Sequence, residues 1–143
     1  MTGRVLATLA DVEPLLRRPL VVAVLGCHPQ PHRPAHYVPA WLQARGHTIL
    51  PVNPRFAGTR LFDHEVVARL DALHTTVDVV DVFRRSEDVP GHVDEILAMR
   101  PLPKVVWLQS GIEHDEACAR LRAAGIDTVE DRCMLADGQR LGL

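Results

Sequence analysis

Lysine is nearly missing from this chain. Of its 16 basic residues only Lys104 is a lysine, and the rest are arginine. Acidic residues number 18, giving a formal net charge of −2. A general nucleic-acid binder needs a basic surplus to displace counterions, and none is present. Cysteine is scarce too. Cys27, Cys118 and Cys133 form no C-x-x-C pair, which excludes a disulfide framework and argues against a structural zinc site or a thioredoxin-like redox pair. An odd count of thiols fits a reducing compartment. No apolar run approaches the ~20 residues of a membrane span. Asp11, Glu13, Arg17 and Arg18 interrupt the N-terminal apolar stretch, so it does not read as a signal peptide, and the expected location is cytoplasmic. What is present is ordinary globular composition, 47% hydrophobic and 24% charged over 143 residues. That length predicts one domain, residues 1–143, around one core.

Short apolar runs alternate with helical patterns. The runs Leu20–Leu25, His47–Val52, Val77–Val82, Lys104–Leu108 and Ile126–Glu130 read as five strands, the first unbroken enough for burial on both faces. Helices are predicted over Leu6–Arg17, His36–Arg45, Val66–Leu73, Val89–Met99 and Glu113–Ala124. Gly46 and Gly125 act as stop signals. The segment from Arg55 to Glu65 reads as a loop with a small extra strand at Arg60-Leu61-Phe62. The tail after Cys133 reads as one helical turn and a frayed end. Such alternation predicts an α/β fold of three layers with a five-stranded parallel sheet and right-handed crossovers. Two orders are common, the Rossmann-like 3-2-1-4-5 and the flavodoxin-like 2-1-3-4-5, and the first is preferred.

In open α/β sheets a ligand lies outside the carboxyl ends of the strands. The candidates are therefore the residues that follow them: Gly26 to Arg33, Asn53 to Arg55, Phe83 to Arg85, Gln109 to Gly111, and Asp131 to Cys133. Five arginines fall on that edge: Arg33, Arg55, Arg84, Arg85 and Arg132. Together with a helix N-terminus they suit a multiply phosphorylated ligand. Against this stands the plain alternative that they pair with Asp81, Glu87 and Asp131 on a solvated rim. The turn after the first strand holds one glycine, so it is neither a G-x-G-x-x-G fingerprint nor a Walker A loop. The second strand ends in Asn53-Pro54-Arg55, where an NAD site would carry an acid. This argues against NAD and allows a phosphorylated ribose, as in NADP or coenzyme A. His28, His32 and His36 have metal-like spacing, but Pro29, Pro31 and Pro34 forbid a regular helix across them, so no metal site is expected. Cys27 and His28 are adjacent in an extended segment and point apart, which argues against a catalytic dyad. Trp41, Trp107 and Tyr37 read as core. Phe83 either packs on an adenine or plugs the sheet edge.

Taken in order, the strand-end segments resemble the small stand-alone CoA-binding proteins, which are similar to the N-terminal CoA-binding domain of the succinyl-CoA synthetase α subunit. The residues that carry the resemblance are Val24-Leu25-Gly26 with Arg33-Pro34, and Gly46 with Pro51-Val52-Asn53-Pro54. Further along come Val80-Asp81-Val82-Phe83-Arg84-Arg85, Val106-Trp107-Leu108-Gln109-Ser110-Gly111-Ile112 and Asp131-Arg132-Cys133-Met134. The resemblance implies a Rossmann-like domain binding coenzyme A across the strand ends. It places Gly26, Cys27, His28 and the loop to Arg33 at the pyrophosphate. Asn53 and Pro54 fall on the adenosine side, with Arg55 toward the 3′-phosphate. Phe83 and Arg84 flank the nucleotide, and Gln109 and Gly111 lie along the pantetheine arm. Cys27 and Ala35 stand where the family more often has serine, which removes two hydroxyls. Arg100-Pro101-Leu102-Pro103 replaces a glycine-containing entry to the fourth strand. The synthetase's second domain, with its phosphorylated histidine, has no counterpart here, so ligase activity is not implied.

The leading expectation is a non-catalytic module that binds CoA or acyl-CoA in a regulatory or carrier role, without nucleic acid or membrane partners. The alternatives are an enzyme acting on a CoA thioester, an interaction scaffold with a vestigial nucleotide pocket, and an NADP-binding fragment.

Overall fold

The computed structural model describes residues 2–143. In chain order the elements are α1 (Leu9–Leu16), β1 (Val21–Leu25), α2 (Pro34–Ala44), β2 (Thr48–Val52), β3 (Arg60–Leu61), β4 (His64–Glu65) and β5 (Val79–Val82). They continue with α3 (Val93–Leu97), β6 (Val105–Leu108), α4 (Asp115–Ala123), β7 (Asp127–Val129) and α5 (Met134–Arg140). One sheet runs β2-β1-β5-β6-β7, parallel throughout, and β3 with β4 forms a separate antiparallel hairpin. The outer edge of β7 is covered by the N-terminal segment, where Thr128 donates to the Arg4 carbonyl and Leu6 to the Thr128 carbonyl.

The period of two along each strand sorts the core into two layers. Val22, Val24, Ile49, Val79 and Trp107 face α1, α2 and α5, meeting Val12, Leu16, Val38, Leu42 and Met134. Ala23, Leu25, Leu50, Val80, Val82, Val106 and Leu108 face α3 and α4, meeting Val93, Ile96, Cys118 and Leu121. Both faces are buried, as the unbroken apolar runs require.

The expected order 3-2-1-4-5 is met, with β7 as a sixth position beyond it, once Val67 is counted as the third strand. It bridges Val52 in parallel on the outer side of β2. The five full strands alone read 2-1-3-4-5, because that third strand is reduced to a single bridge. The chain therefore winds one way from β1 to β2 and Val67, and the other way from β5 to β7. The direction reverses between β1 and β5.

Several sequence expectations are corrected. Val66–Leu73 is not a helix. The β-branched pair Val66-Val67 takes the edge of β2 instead, with Val67 donating to the Pro51 carbonyl, and only Leu70–Ala72 turns, as a 3₁₀ segment. Ser86–His92 is likewise a 3₁₀ turn, and α3 proper begins at Val93. The first helix starts at Leu9 rather than Leu6, because Thr8 and Asp11 form a capping box. The tail is not frayed after one turn. It forms α5, held by an Arg132–Asp137 ion pair at 2.7 Å and by close packing of Gly138 on the Trp41 ring. Arg60-Leu61 does form the expected small strand, closed into a hairpin by His64-Glu65.

Candidate functional site

A cleft of about 990 Å³ opens along the carboxyl ends of the sheet. It draws residues from the turns after β1, β2, β5 and β6, from the start of α2 and from Cys133 after β7. Gly26 stands at the point where the winding reverses. Its φ is +90°, and a Cβ there would lie 2.5 Å from the Phe83 carbonyl oxygen. Only glycine allows β1 and β5 to leave the sheet this close together.

The loop from Gly26 leads into α2 through Pro34 at its first turn, with no side-chain cap on that helix. Arg33, Pro34, Ala35 and Tyr37 therefore bring an uncapped helix N-terminus to the cleft wall. His28 Nδ1 accepts from the Gln30 N–H at 3.1 Å, which leaves Nε2 as the protonated nitrogen of the neutral ring. Removal from water, and then the positive charges of Arg33 and Arg55, push its pKa down. Its ring meets the edge of Phe56 at a centroid distance of 4.9 Å. His36 donates from Nδ1 to the His28 carbonyl at 2.7 Å and packs on Phe62 of the hairpin. His28 and His36 thus shape the loop, and the described residues contain no cluster able to hold a metal ion.

Asn53 ties two of these turns together. Its side chain donates to the Cys27 carbonyl at 3.0 Å and accepts from the Arg55 N–H at 3.0 Å, and it is only 5% exposed. Pro54 and Arg55 follow on a 3₁₀ turn, and the Arg55 guanidinium lies 5.2 Å from the Phe56 ring centroid. Cys27 itself departs from the expected site. Its side chain is fully buried in the layer under α2 and does not line the cleft, and burial pushes its thiol up to about 12. It shapes the loop through its backbone carbonyl.

The five edge arginines divide into two groups. Arg132 is fully committed, bidentate to Asp137 at 2.7 and 3.0 Å and donating to the Ala7 carbonyl. Arg85 pairs with Glu87 and Asp88. Arg33, Arg55 and Arg84 have no carboxylate partner among the described residues, and all three line the cleft. The solvated-rim alternative thus holds for Arg85. Asp81 and Asp131, expected as its further partners, do other work. Asp131 accepts from the Gly111 N–H at 2.6 Å, and Asp81 is completely buried beside Gln109.

Of the residues singled out from sequence, Gly26, His28, Arg33, Asn53, Pro54, Arg55, Phe83, Arg84, Gln109 and Gly111 all line this one cleft. Tyr37, expected in the core, is instead 46% exposed on the cleft wall. Its position follows from α2 beginning at Pro34 rather than His36, one turn ahead of it. Phe56, Ile112 and Cys133 also line the cleft. Phe56 lay in a stretch read as loop and carried no periodic signal.

A family model described as CoA binding domain matches residues 21–139. The uncharacterized protein YneT of Bacillus subtilis (strain 168) is 33% identical over 125 residues, spanning 87% of this chain and 90% of that protein. A solved Thermus thermophilus protein, cell-free ID.343, is 46% identical, with a TM-score of 0.87 over 94% of this chain and 98% of its own. A hypothetical protein from Pyrococcus horikoshii OT3 is 27% identical, with a TM-score of 0.85 over 95% and 93%.

Proposed function

The chain belongs to the CoA binding domain family, and we propose that its cleft holds coenzyme A or an acyl-CoA as a binding module rather than as an enzyme. The observation that carries this reading is the trio of arginines without a carboxylate partner, Arg33, Arg55 and Arg84, around a cleft that also receives an uncapped helix N-terminus. What distinguishes these three is their convergence on one cleft with no carboxylate to neutralise them, and guanidinium groups suit phosphate oxygens. The pyrophosphate would sit at Gly26 and the start of α2, where backbone N–H groups and Arg33 reach it. Arg55 would take the 3′-phosphate beside Asn53 and Pro54. Phe83 and Arg84 would flank the nucleotide, and the arm would run past Gln109 and Gly111 toward Cys133. The cleft is at the upper end of the roughly 300–1,000 Å³ of small-molecule sites, which suits an elongated ligand.

The use of the reactive side chains supports binding without turnover: Cys133, the thiol that lines the cleft, has no base hydrogen-bonded to it among the described residues. The Cys27 thiol is sealed in the core. The Ser86 hydroxyl accepts from the Glu113 N–H and donates to the Gly111 carbonyl. The adjacent His28 has Nδ1 taken by Gln30. A carrier or regulatory role fits that arrangement, with the physiological setting a soluble one in the cytoplasm. No helix of the described residues is long and apolar enough to cross a membrane.

Isothermal titration with CoA, with NADP as the control, tests this. Saturable binding of CoA that Arg84→Ala weakens by about tenfold to a hundredfold, the loss of a charge-assisted contact, supports the module. No heat from CoA or acetyl-CoA at millimolar concentration overturns it. Hydrolysis of acetyl-CoA by the protein above the buffer rate overturns the non-catalytic part alone.

A further inference from the structure

The Asp81 carboxylate is the least expected group in the protein. It lies on β5, with Val24 of β1 and Trp107 of β6 as its ladder neighbours, and it is fully buried. No arginine, lysine or histidine pairs with it among the described residues. One oxygen accepts from Gln109 Nε2 at 2.6 Å, and the other has no partner at all. A buried carboxyl costs several kcal/mol as an anion on general grounds, so its persistence here calls for a use.

That use is visible in Gln109. Its Nε2 is held by Asp81 while its Oε1 takes no hydrogen bond from the protein and is not sealed from solvent, in a side chain that lines the cleft. An ionised Asp81 can only accept, so it forces the amide nitrogen inward and the amide oxygen outward. A protonated Asp81 can donate to Gln109, which reverses the amide and turns its N–H₂ to the cleft. Resting on the coenzyme A reading above, we propose that Gln109 reads an amide N–H of the ligand's arm through Oε1, and that Asp81 is the positioning residue whose protonation state sets which end of Gln109 the ligand meets. The site then selects an amide-bearing arm over a bare nucleotide, and it does so best when Asp81 is ionised.

Burial pushes the Asp81 carboxyl up to about 7, so both states are populated near neutrality. The titratable group beside it is Cys27 at the end of β1, whose thiol is held near 12 and stays protonated throughout. No ionisable side chain of α2 or α5 bonds to Asp81. His28 also titrates on the cleft wall, so the experiment is built to cancel it.

The experiment compares dissociation constants of the full chain and Gln109→Leu for two probes, CoA and adenosine 3′,5′-bisphosphate, at pH 6 and pH 8. Effects of pH on the ligand phosphates and on His28 are common to both proteins and drop out of their ratio. The expected ratio for CoA is about threefold to tenfold at pH 8, the worth of one hydrogen bond, and close to one at pH 6. For the bisphosphate, which lacks the arm, it stays near one at both values. Asp81→Asn, which cannot ionise, should bind CoA with a ratio that no longer changes with pH. A CoA ratio equal at the two pH values, or an equal loss for the bisphosphate, overturns the proposal while leaving CoA binding intact. Failure of the unsubstituted protein to bind CoA overturns both this inference and the reading beneath it.

Discussion

Gly26 and Gly46 allow a controlled test of what holds the site together. Their φ angles are nearly equal, +90° and +92°. An alanine therefore meets the same backbone strain at each, about 1–2 kcal/mol, partly offset by about 0.4–1 kcal/mol from the stiffer unfolded chain. The surroundings differ. A Cβ at Gly46 meets nothing within 4 Å, whereas one at Gly26 lies 2.5 Å from the Phe83 carbonyl oxygen and 3.3 Å from its carbon. Those are backbone atoms of the chain leaving β5, and Phe83 is fixed there by donating to the Leu25 carbonyl. They yield only if β1 and β5 splay apart where the winding reverses. Overpacking of this kind costs about 1–3 kcal/mol. Gly46→Ala should thus cost about 1 kcal/mol and Gly26→Ala about 2–4 kcal/mol, by the same additions. Urea unfolding with fitted m-values measures both. Equal costs would refute the close approach as the reason for Gly26. A larger cost at Gly46 would refute the whole geometry of the two turns. Splaying at Gly26 should also weaken CoA binding, whereas Gly46→Ala should leave it unchanged.

Arg132→Ala should behave unlike Arg84→Ala. It strips Asp137, 1% exposed, of its bidentate partner and leaves only Arg140 at 3.1 Å, so thermal unfolding should show a loss of about 2–3 kcal/mol, whereas Arg84→Ala should leave the melting temperature within a degree or two and act on affinity. Asp81 makes a prediction about pH. Its folded-state pKa is raised from 3.8 to about 7, so the native state holds the proton more tightly than the unfolded one. Its contribution is complete below about pH 4 and fades as pH rises to about 7. The stability of Asp81→Asn minus that of the parent should therefore grow between pH 4 and pH 7 by an amount of order 4 kcal/mol at most, then level off, and a flat difference curve by chemical denaturation would contradict it. Thiol labelling should modify Cys133, half-buried on the cleft, in the native protein, and Cys27 and Cys118 only on unfolding. CoA should slow the labelling of Cys133, and protection of none of the three would count against the arm running that way.

Much of this architecture was legible in the sequence because the parallel sheet writes itself as apolar runs. Val21–Leu25 and Val79–Val82 could be placed to within two residues for that reason, and the rule that ligands gather at strand carboxyl ends then gathered ten residues of one cleft. What stayed hidden was decided by partners distant in sequence. Val66, Leu70 and Leu73 have the spacing of one helix face, yet Val66 and Val67 are held extended by the Thr59 and Pro51 carbonyls on two other segments. Val89–Met99 reads as one helix, but Pro90 falls in its first turn, and the chain from Ser86 to His92 tightens to 3₁₀ before α3 begins at Val93.

The arginines show why composition alone could not finish the argument. All five stand on the edge for the same reason, and their position there does not say which will meet a carboxylate. Their fates divide by what the fold brings to them. Asp137 reaches Arg132 because α5 folds back from β7, and Glu87 and Asp88 reach Arg85 because Ser86–His92 coils immediately after it. Three are left without a carboxylate, and they flank the one place where the sheet's winding reverses and an uncapped helix begins. Asp81 is the complementary case. The sequence offers it as a natural partner for those same arginines, and the pleat of β5 turns it inward instead, where its only correspondent is Gln109. Burial and Gln109 alone govern its carboxyl, and the charge of the three arginines stays available to a ligand. The register of β5, which puts Asp81 in the core rather than on the cleft lining, is thus part of what keeps the site receptive to an anion.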